Sequence, residues 1–301
     1  MNPVPILIIG SSNTDMVIKT SHFPVPGETI LGGEFLMNPG GKGANQAVAA
    51  ARLGGKVTFI CKIGDDLFGK QAKQLFENED INTDYLLTDD HLPSGTALIT
   101  IDASGENTIV VAPGANGNLT VENIKLAEAE FDKCDFILTQ LETPLQTVEY
   151  IAKLASKKGK KLILNPAPAV HLSDVLLSNL FMITPNETEA ELLTGVQVTD
   201  VSSAKKAAEE LVKKGVKNVI ITLGASGAYV LTSEVSDLIS AEKVDAVDTT
   251  AAGDTFNGGL VTALAKGKSI LDAVRFANSA AAISVTRMGA QASIPYLKEL
   301  E

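Results

Sequence analysis

Short aliphatic runs alternate with amphipathic segments along almost the whole chain, and this alternation restricts the fold more than any other feature. Runs bounded by Gly, Pro, Asp or Lys lie at Val4–Ile9, Val57–Ile63, Phe136–Leu141, Lys161–Leu164, Leu180–Thr184 and Val219–Leu223. Between them, Ala44–Leu53, Phe68–Asn78, Val121–Glu130, Leu145–Lys157, Glu187–Thr194 and Ala204–Lys214 carry apolar residues at helical spacing. A strand that is aliphatic on both faces needs cover on both faces. The pattern therefore predicts an α/β fold, a doubly wound, mainly parallel sheet flanked by helices. With aromatic residues at 5% and no Trp, Ile, Leu, Val and Ala must fill the core.

Two stretches break the alternation. Residues 14–40 contain Pro24, Pro26, Gly27, Gly32 and Gly33 among β-prone residues and have no helical period. Residues 95–111 read as two strands, Thr96–Asp102 and Asn107–Val111, around the turn Ala103-Ser104-Gly105-Glu106. Paired outside the main sheet, these excursions predict a small antiparallel β-lid; an edge hairpin is the plainer alternative. Near the C-terminus Thr255–Ala265 and Ile270–Ser284 read as successive helices rich in Ala and Gly. No repeat or interdomain linker interrupts the chain, so one α/β domain over residues 1–301 with a lid is the expectation.

The net charge of −11 argues against nucleic acid or an anionic membrane as the main partner. An anionic nucleotide remains compatible, because a few oriented backbone N–H groups and a Mg²⁺ ion reverse the field locally. The two cysteines, Cys61 and Cys134, sit beside apolar runs without metal-ligand spacing and read as buried free thiols. Val4–Ile9 is too short for a signal-peptide core and ends in a turn, and no apolar stretch is long enough to cross a bilayer, so a cytoplasmic protein is expected.

Chemistry concentrates where runs end. Asp248-Thr-Thr-Ala-Ala-Gly-Asp254 leads straight into a helix, and small residues there leave its first N–H groups open to an anion. Asp254 has two readings: a base that takes a proton from an attacking hydroxyl, or a helix cap, which the segment taken alone favours. Asn38-Pro-Gly-Gly-Lys-Gly-Ala-Asn-Gln46 is neither a Walker A loop nor a dinucleotide fingerprint, and reads as a flexible turn presenting Lys42, followed by Asn45 on a first helical turn. Asn13 and Asp15 follow the first strand, and Glu142 follows another. In a parallel sheet such positions face the ligand crevice, where carboxylates hold sugar diols; a polar turn is the alternative. Asn186 and Glu189 suit phosphate and hydrated Mg²⁺, or an ordinary N-cap pair. Thr222-Leu-Gly-Ala-Ser-Gly227 seats a nucleotide or merely turns the chain.

These residues together resemble the ribokinase family of carbohydrate kinases, over essentially the whole chain. Gly40-Gly-Lys-Gly-Ala-Asn45, Asn186-Glu-Thr-Glu189 and Asp248-Thr-Thr-Ala-Ala-Gly-Asp254 carry the resemblance. Asn13-Thr-Asp15, Gln140-Leu-Glu142, Asn165-Pro-Ala-Pro168 and Gly289-Ala-Gln-Ala-Ser293 look like its ribose-phosphorylating members. The resemblance implies ATP-dependent phosphorylation of D-ribose at O5, with deoxyribose, another small sugar or a nucleoside as the alternative acceptor. It implies Asp254 as base, the backbone of Ala251, Ala252 and Gly253 as anion hole, and Asn13, Asp15, Gly41, Lys42, Asn45 and Glu142 around the sugar. Asn186, Gly253 and the residues Thr222, Leu223, Gly224, Ala225, Ser226 and Gly227 match the ATP site; Glu189 belongs to the motif that organises hydrated Mg²⁺. Asn278 stands where some relatives carry His near the adenine. Asp248, Thr250, Ser284, Arg287, Gly289 and Ser293 match a K⁺ site, and a homodimer through the β-lid is also implied. A nicotinamide-dependent oxidoreductase is disfavoured by the absence of Gly-x-Gly-x-x-Gly after the first strand, and a non-catalytic sugar-binding regulator by retention of Asp254.

Overall fold

The computed structural model describes residues 4–31 and 33–300; Gly32, one of the glycines of the expected lid, lies outside the described residues. In chain order the strands are β1 (Val4–Ile9), β2 (Asn13–Lys19), β3 (Phe35–Gly40), β4 (Gly55–Gly64), β5 (Leu86–Asp89), β6 (Gly95–Ile101), β7 (Asn107–Ala112), β8 (Phe136–Thr139), β9 (Lys161–Leu164), β10 (Met182–Ile183), β11 (Asn218–Thr222), β12 (Ala228–Leu231) and β13 (Ser236–Ile239). The helices are α1 (Lys42–Arg52), α2 (Leu67–Asn78), α3 (Val121–Leu126), α4 (Glu128–Asp132), α5 (Leu145–Lys157), α6 (Asp174–Ser178), α7 (Glu187–Thr194), α8 (Val201–Lys213), α9 (Ala252–Ala265), α10 (Ile270–Ser284) and α11 (Ala290–Ser293).

The main sheet runs β13-β12-β11-β10-β9-β8-β1-β4-β5. It is parallel from β11 to β5, and β12 and β13 close one edge antiparallel. Alternate residues of each strand enter opposite layers, as a pleated strand requires. Leu7 and Ile9 join Ile137, Leu162, Leu164 and Val219 under α5, α7 and α8. Ile6 and Ile8 join Phe59, Leu138 and Ile220 under α1, α9 and α10. Both faces are thus buried, which is why the aliphatic runs are continuous rather than alternating with polar residues. Cys61 and Cys134 are buried free thiols.

The chain leaves β1 towards β4 on one side and returns to β8 on the other. The strand order therefore reverses beside β1, and the carboxyl ends of β1 and β8 open a crevice there.

The two excursions form a second sheet of order β3-β2-β6-β7. Its outer pairs are antiparallel, while β2 and β6 run parallel at its centre. Three local expectations change. Asn13–Asp15 is not a turn but the start of β2, because it pairs with β3 and β6 at once. Asn38–Gly40 is the end of β3, so Gly41 alone, at φ 89°, turns the chain into α1. Val121–Glu130 is two short helices broken at Ala127, a break that buries Ala127 and Phe131 and leaves Leu126 exposed. The edge strands β12 and β13 were not legible in the run pattern.

Candidate active site

The crevice is closed at its base by contacts between chain ends of β1, β8 and α1. Ser11 Oγ donates to Glu142 Oε2 at 2.5 Å, and the Lys42 N–H donates to the same oxygen at 2.9 Å. Glu142 thereby sits on the first N–H of α1, where the helix dipole favours a carboxylate. The approach is close because Gly43 carries no side chain: a Cβ there would lie 2.4 Å from Ser11 N. Ser11 was not among the expected site residues, and a lone serine in a Ser-Ser-Asn turn carries no signal that would single it out.

Asp254 lies in the first turn of α9 and is 6% exposed. Its Oδ2 accepts from Asn45 Nδ2 at 2.9 Å and its Oδ1 from Gln46 Nε2 at 2.9 Å. The carboxylate therefore faces α1 and does not cap its own helix; the N-cap position is Ala251, in the left-handed region at φ 60° and without a side-chain cap. Burial pushes the Asp254 carboxyl above the usual carboxylate range, against the pull of Lys42, Asn45 and Gln46. Gln46 ends the glycine-rich motif read in the sequence but had no role assigned there, although adjacent carboxamides in a helix otherwise rich in Ala are a legible signal.

The start of α9 presents backbone donors beside this carboxylate. Helix geometry gives the N–H groups of Gly253 and Asp254 no intrahelical acceptor, and a Cβ placed on Gly253 would meet nothing within 4 Å. Of the three residues expected to form the anion hole, Ala252 turns its N–H to Thr249 O at 3.2 Å. Asn257, also unforeseen, steadies the turn. It donates to Gly253 O at 2.8 Å and accepts from Thr184 Oγ1 at 2.7 Å.

On the lid side, Asn13 Oδ1 accepts from Asn116 Nδ2 at 2.7 Å, a partner that sequence reasoning missed. Asp15 lies against Gly40, where a Cβ would come within 2.2 Å of its carboxylate. Burial, with Glu142 and Asp254 adding repulsion and Lys42 opposing, raises the Asp15 carboxyl to about 6. Burial disfavours the Lys42 ammonium, yet Asp254, Glu142, Glu189 and Asp15 outweigh it and hold its pKa above the usual lysine value. Lys42 is thus the cation shared by the carboxylates of β2, α7, α9 and the β8 end.

Two of the expected nucleotide segments meet at the ends of β10 and β11, where Thr222 N–H donates to Pro185 O at 2.9 Å. Asn186 and Glu189 form a reciprocal capping box on α7, with Glu189 N–H on Asn186 Oδ1 at 2.8 Å and Asn186 N–H on Glu189 Oε2 at 2.9 Å. Gly224, Ala225 and Ser226 form an exposed single turn after Leu223. Gly227, at φ 102°, packs so tightly that a Cβ would lie 2.1 Å from Ile239 O. Asn278 is occupied as a strut: its Nδ2 donates to Ile239 O at 3.0 Å and to Ser240 O at 3.4 Å.

A further loop cluster joins Asp248, Thr250 and Gly289. Asp248 Oδ1 accepts from the Thr250 N–H and hydroxyl at 2.9 and 2.6 Å, and Oδ2 accepts from Gly289 N–H at 2.8 Å. Burial opposes ionisation, but these donors outweigh it and keep the Asp248 carboxyl below its usual range. Ser284 and Ser293 turn their hydroxyls back to Ala281 O and Ala290 O, and Arg287 is paired with Glu299. Among the described residues no group of three or more His, Cys, Asp or Glu could hold a metal ion.

A buried carboxylate beside an open helix N-terminus, with Asp15, Lys42 and Glu142 close by, suits chemistry on an anionic group. Comparison with known proteins agrees. Residues 5–297 match the model of the pfkB family carbohydrate kinases. Ribokinase of Haemophilus influenzae is 52% identical over 294 residues, covering 98% of this chain and 96% of that one. The solved ribokinase of Thermotoga maritima superposes with a TM-score of 0.91 at 40% identity, covering 99% of this chain and 98% of that one. An Arabidopsis thaliana ribokinase complexed with ribose and ATP superposes with a TM-score of 0.92 at 29% identity, covering 99% and 97%. A match spanning nearly every residue, on a fold that assembles this site, leaves one assignment: the chain belongs to the pfkB family of carbohydrate kinases.

Proposed function

We propose that this protein transfers the γ-phosphate of ATP to O5 of D-ribose, giving D-ribose 5-phosphate. The observation that carries the reading is the buried Asp254 carboxylate, steadied by Asn45 and Gln46 beside the open N-terminus of α9. A base and an anion cradle on one helical turn are what in-line phosphoryl transfer needs. The ribokinases of Haemophilus influenzae and Thermotoga maritima, and the Arabidopsis protein with ribose and ATP, support sugar and nucleotide as substrates.

In this reading Asp15 accepts from the sugar diol, with Asn13, Gly41, Lys42, Asn45 and Glu142 completing the pocket. Asp254 takes the O5 proton as the hydroxyl attacks, and the Gly253 and Asp254 N–H groups, with Ala251 and Ala252 shaping the turn, receive the charge of the transferred phosphoryl. Asn186 and the turn from Thr222 to Gly227 hold the nucleotide, and Asn278 keeps the wall behind that turn in place. Mg²⁺ supplies charge neutralisation on the phosphates, and Glu189 is the side chain that would hold its water shell. K⁺ would be held by Asp248 and the carbonyls around Thr250, Ser284, Arg287, Gly289 and Ser293, where it would steady the turn into α9.

The chain acts as a single domain whose second sheet is a lid over the sugar. The exposed apolar side chains of that sheet, Phe35, Met37, Leu98 and Val110 among them, suit a homodimer contact through the lid. No helix among the described residues is long and apolar enough to cross a membrane, and a cytoplasmic enzyme has ATP at hand.

The test is ADP release with ATP and Mg²⁺ across ribose, deoxyribose, fructose and adenosine, with and without K⁺. Ribose-dependent turnover that K⁺ raises is expected. Preference for another acceptor would keep the kinase and overturn the sugar.

A further inference from the structure

Asp254 is oriented by two carboxamides, and each of these is oriented in turn by a glutamine that the proposed reaction does not use. Gln140, just past β8, donates from Nε2 to Gln46 Oε1 at 2.6 Å. Gln291, on α11, donates from Nε2 to Asn45 Oδ1 at 3.1 Å. Gln140 is 1% exposed and Gln291 3%. Among the described residues, neither Oε1 has a hydrogen-bond partner.

A carboxamide has a donor end and an acceptor end, so a chain of them has a direction. Were Gln140 reversed, Gln46 would have to reverse with it. Its Oε1 would then face Asp254 Oδ1 and Asn165 Oδ1, both of which now receive its N–H groups at 2.9 Å. Reversal of Gln291 would likewise turn Asn45 Oδ1 against Asp254 Oδ2. Only one direction suits an ionised Asp254, and that direction strands an acceptor at the far end of each chain. Buried orphan acceptors are rare, because each is desolvated without a compensating hydrogen bond. Two of them, at the ends of two chains that converge on one carboxylate from different elements, point to a requirement set by that carboxylate.

We propose that Gln140 and Gln291 are positioning residues of the phosphoryl-transfer centre, each fixing the polarity of one carboxamide so that both oxygens of Asp254 face N–H donors. Neither touches the reacting atoms; they act through Gln46 and Asn45. The inference rests on Asp254 being the base. The charged groups around Asp254 are Lys42 on α1, Glu142 past β8, Asp15 on β2 and Glu189 on α7. Both glutamines leave that set intact when replaced by a neutral residue, so the donor alone is removed. Without the glutamine, Gln46 or Asn45 is free to turn; in the turned fraction the ionised Asp254 loses an N–H donor, which favours the protonated form, and the base then loses its proton only at higher pH.

The experiment compares kcat for ribose against pH in the full chain for Gln140→Met, Gln291→Met and Asp254→Asn, with thermal melts alongside. Each Met variant is expected to fold, to lose about tenfold in kcat near neutral pH, to keep its KM for ATP, and to move the acid limb upward by up to about one pH unit. Gln140 lies away from the Asp248–Gly289 loop, so a matching shift in both variants separates the effect from any change in that loop. Should a Met variant not fold, Gln140→Leu and Gln291→Leu likewise lack the donor, add no charge and must shift the limb the same way. An acid limb that coincides with the parent's in both variants, while Asp254→Asn is more than about a hundredfold slower, overturns the proposal. Near-normal turnover of Asp254→Asn removes the base assignment instead.

Discussion

Asn45 Nδ2 donates to Asp254 Oδ2 at 2.9 Å across 209 residues of chain, bridging α1 and α9. The bridge depends on how closely the two helices approach. At Gly258, one turn along α9, a Cβ would lie 2.5 Å from Ala49 Cβ and 2.9 Å from both Ala50 N and Gln46 O. The distance between base and amide is therefore set by a glycine that has no chemistry of its own.

Gly258→Ala should push α9 away from α1. Overpacking of this kind costs about 1–3 kcal/mol, and the displaced Asp254 should lower kcat while KM for ATP stays put. Chemical denaturation and steady-state kinetics on the same preparation check both. Unchanged stability together with unchanged kcat would show that the helices tolerate the methyl and that the contact does not position the base.

Asp254→Asn keeps the shape of the side chain and removes the proton acceptor. The variant should fold, bind ATP and lose on the order of 10²–10⁴-fold in turnover if general-base catalysis is its role. Near-normal turnover would sink that role.

Asp15 carries a pH dependence whose sign follows from its raised pKa of about 6. The unfolded chain releases this proton near the ordinary aspartate value of 3.8, whereas the folded chain holds it to about 6. Folding therefore binds a proton between those values, and stability falls as pH rises through that window. Above it the buried charge is a standing cost; in the proposed function the ionised form is the one that receives the sugar's hydroxyls. Asp15→Asn should raise the melting temperature at pH 7 more than at pH 4 and raise KM for ribose. In the parent, KM for ribose should rise as pH falls below about 6. A melting temperature that drops equally at both pH values would contradict the account.

Arg52 ties the C-terminal segment to α1. Its guanidinium donates to Gln291 O at 2.7 Å and Ile294 O at 2.9 Å, and pairs with Glu79 at 2.6 Å in a largely buried setting. Arg52→Met leaves Glu79 and both carbonyls without this donor, and should cost about 3 kcal/mol. Urea unfolding measures it; a loss below about 1 kcal/mol, as for an exposed pair, would show that water replaces the guanidinium.

Much of the architecture was legible because it rests on local pattern. Val4–Ile9, Lys161–Leu164, Leu145–Lys157 and Glu187–Thr194 stand as read, since continuous aliphatic runs and amphipathic spacing report burial on two faces or one. The edge strands β12 and β13 left little trace, because short strands at a sheet edge have neither a long run nor a full alternation. The central β2–β6 pair was likewise unreadable as parallel: strand direction in a small sheet depends on connections, not on residue type.

The same division holds at the site. The chain by itself determined the parts: the Gly40–Asn45 turn, the Asn186–Glu189 pair, the Asp248–Asp254 entry into a helix, and the carboxylates at strand ends, because each is a local combination of residue type and neighbouring backbone. Their partners were decided only by tertiary structure. That Asp254 faces α1 and does not cap its own helix is decided by Asn45 and Gln46, more than 200 residues away, and by the close approach of α1 and α9 at Gly258. Hydrogen bonds between buried amides have direction and short range, so they exist only once packing has fixed both partners, and no periodicity in the sequence records them.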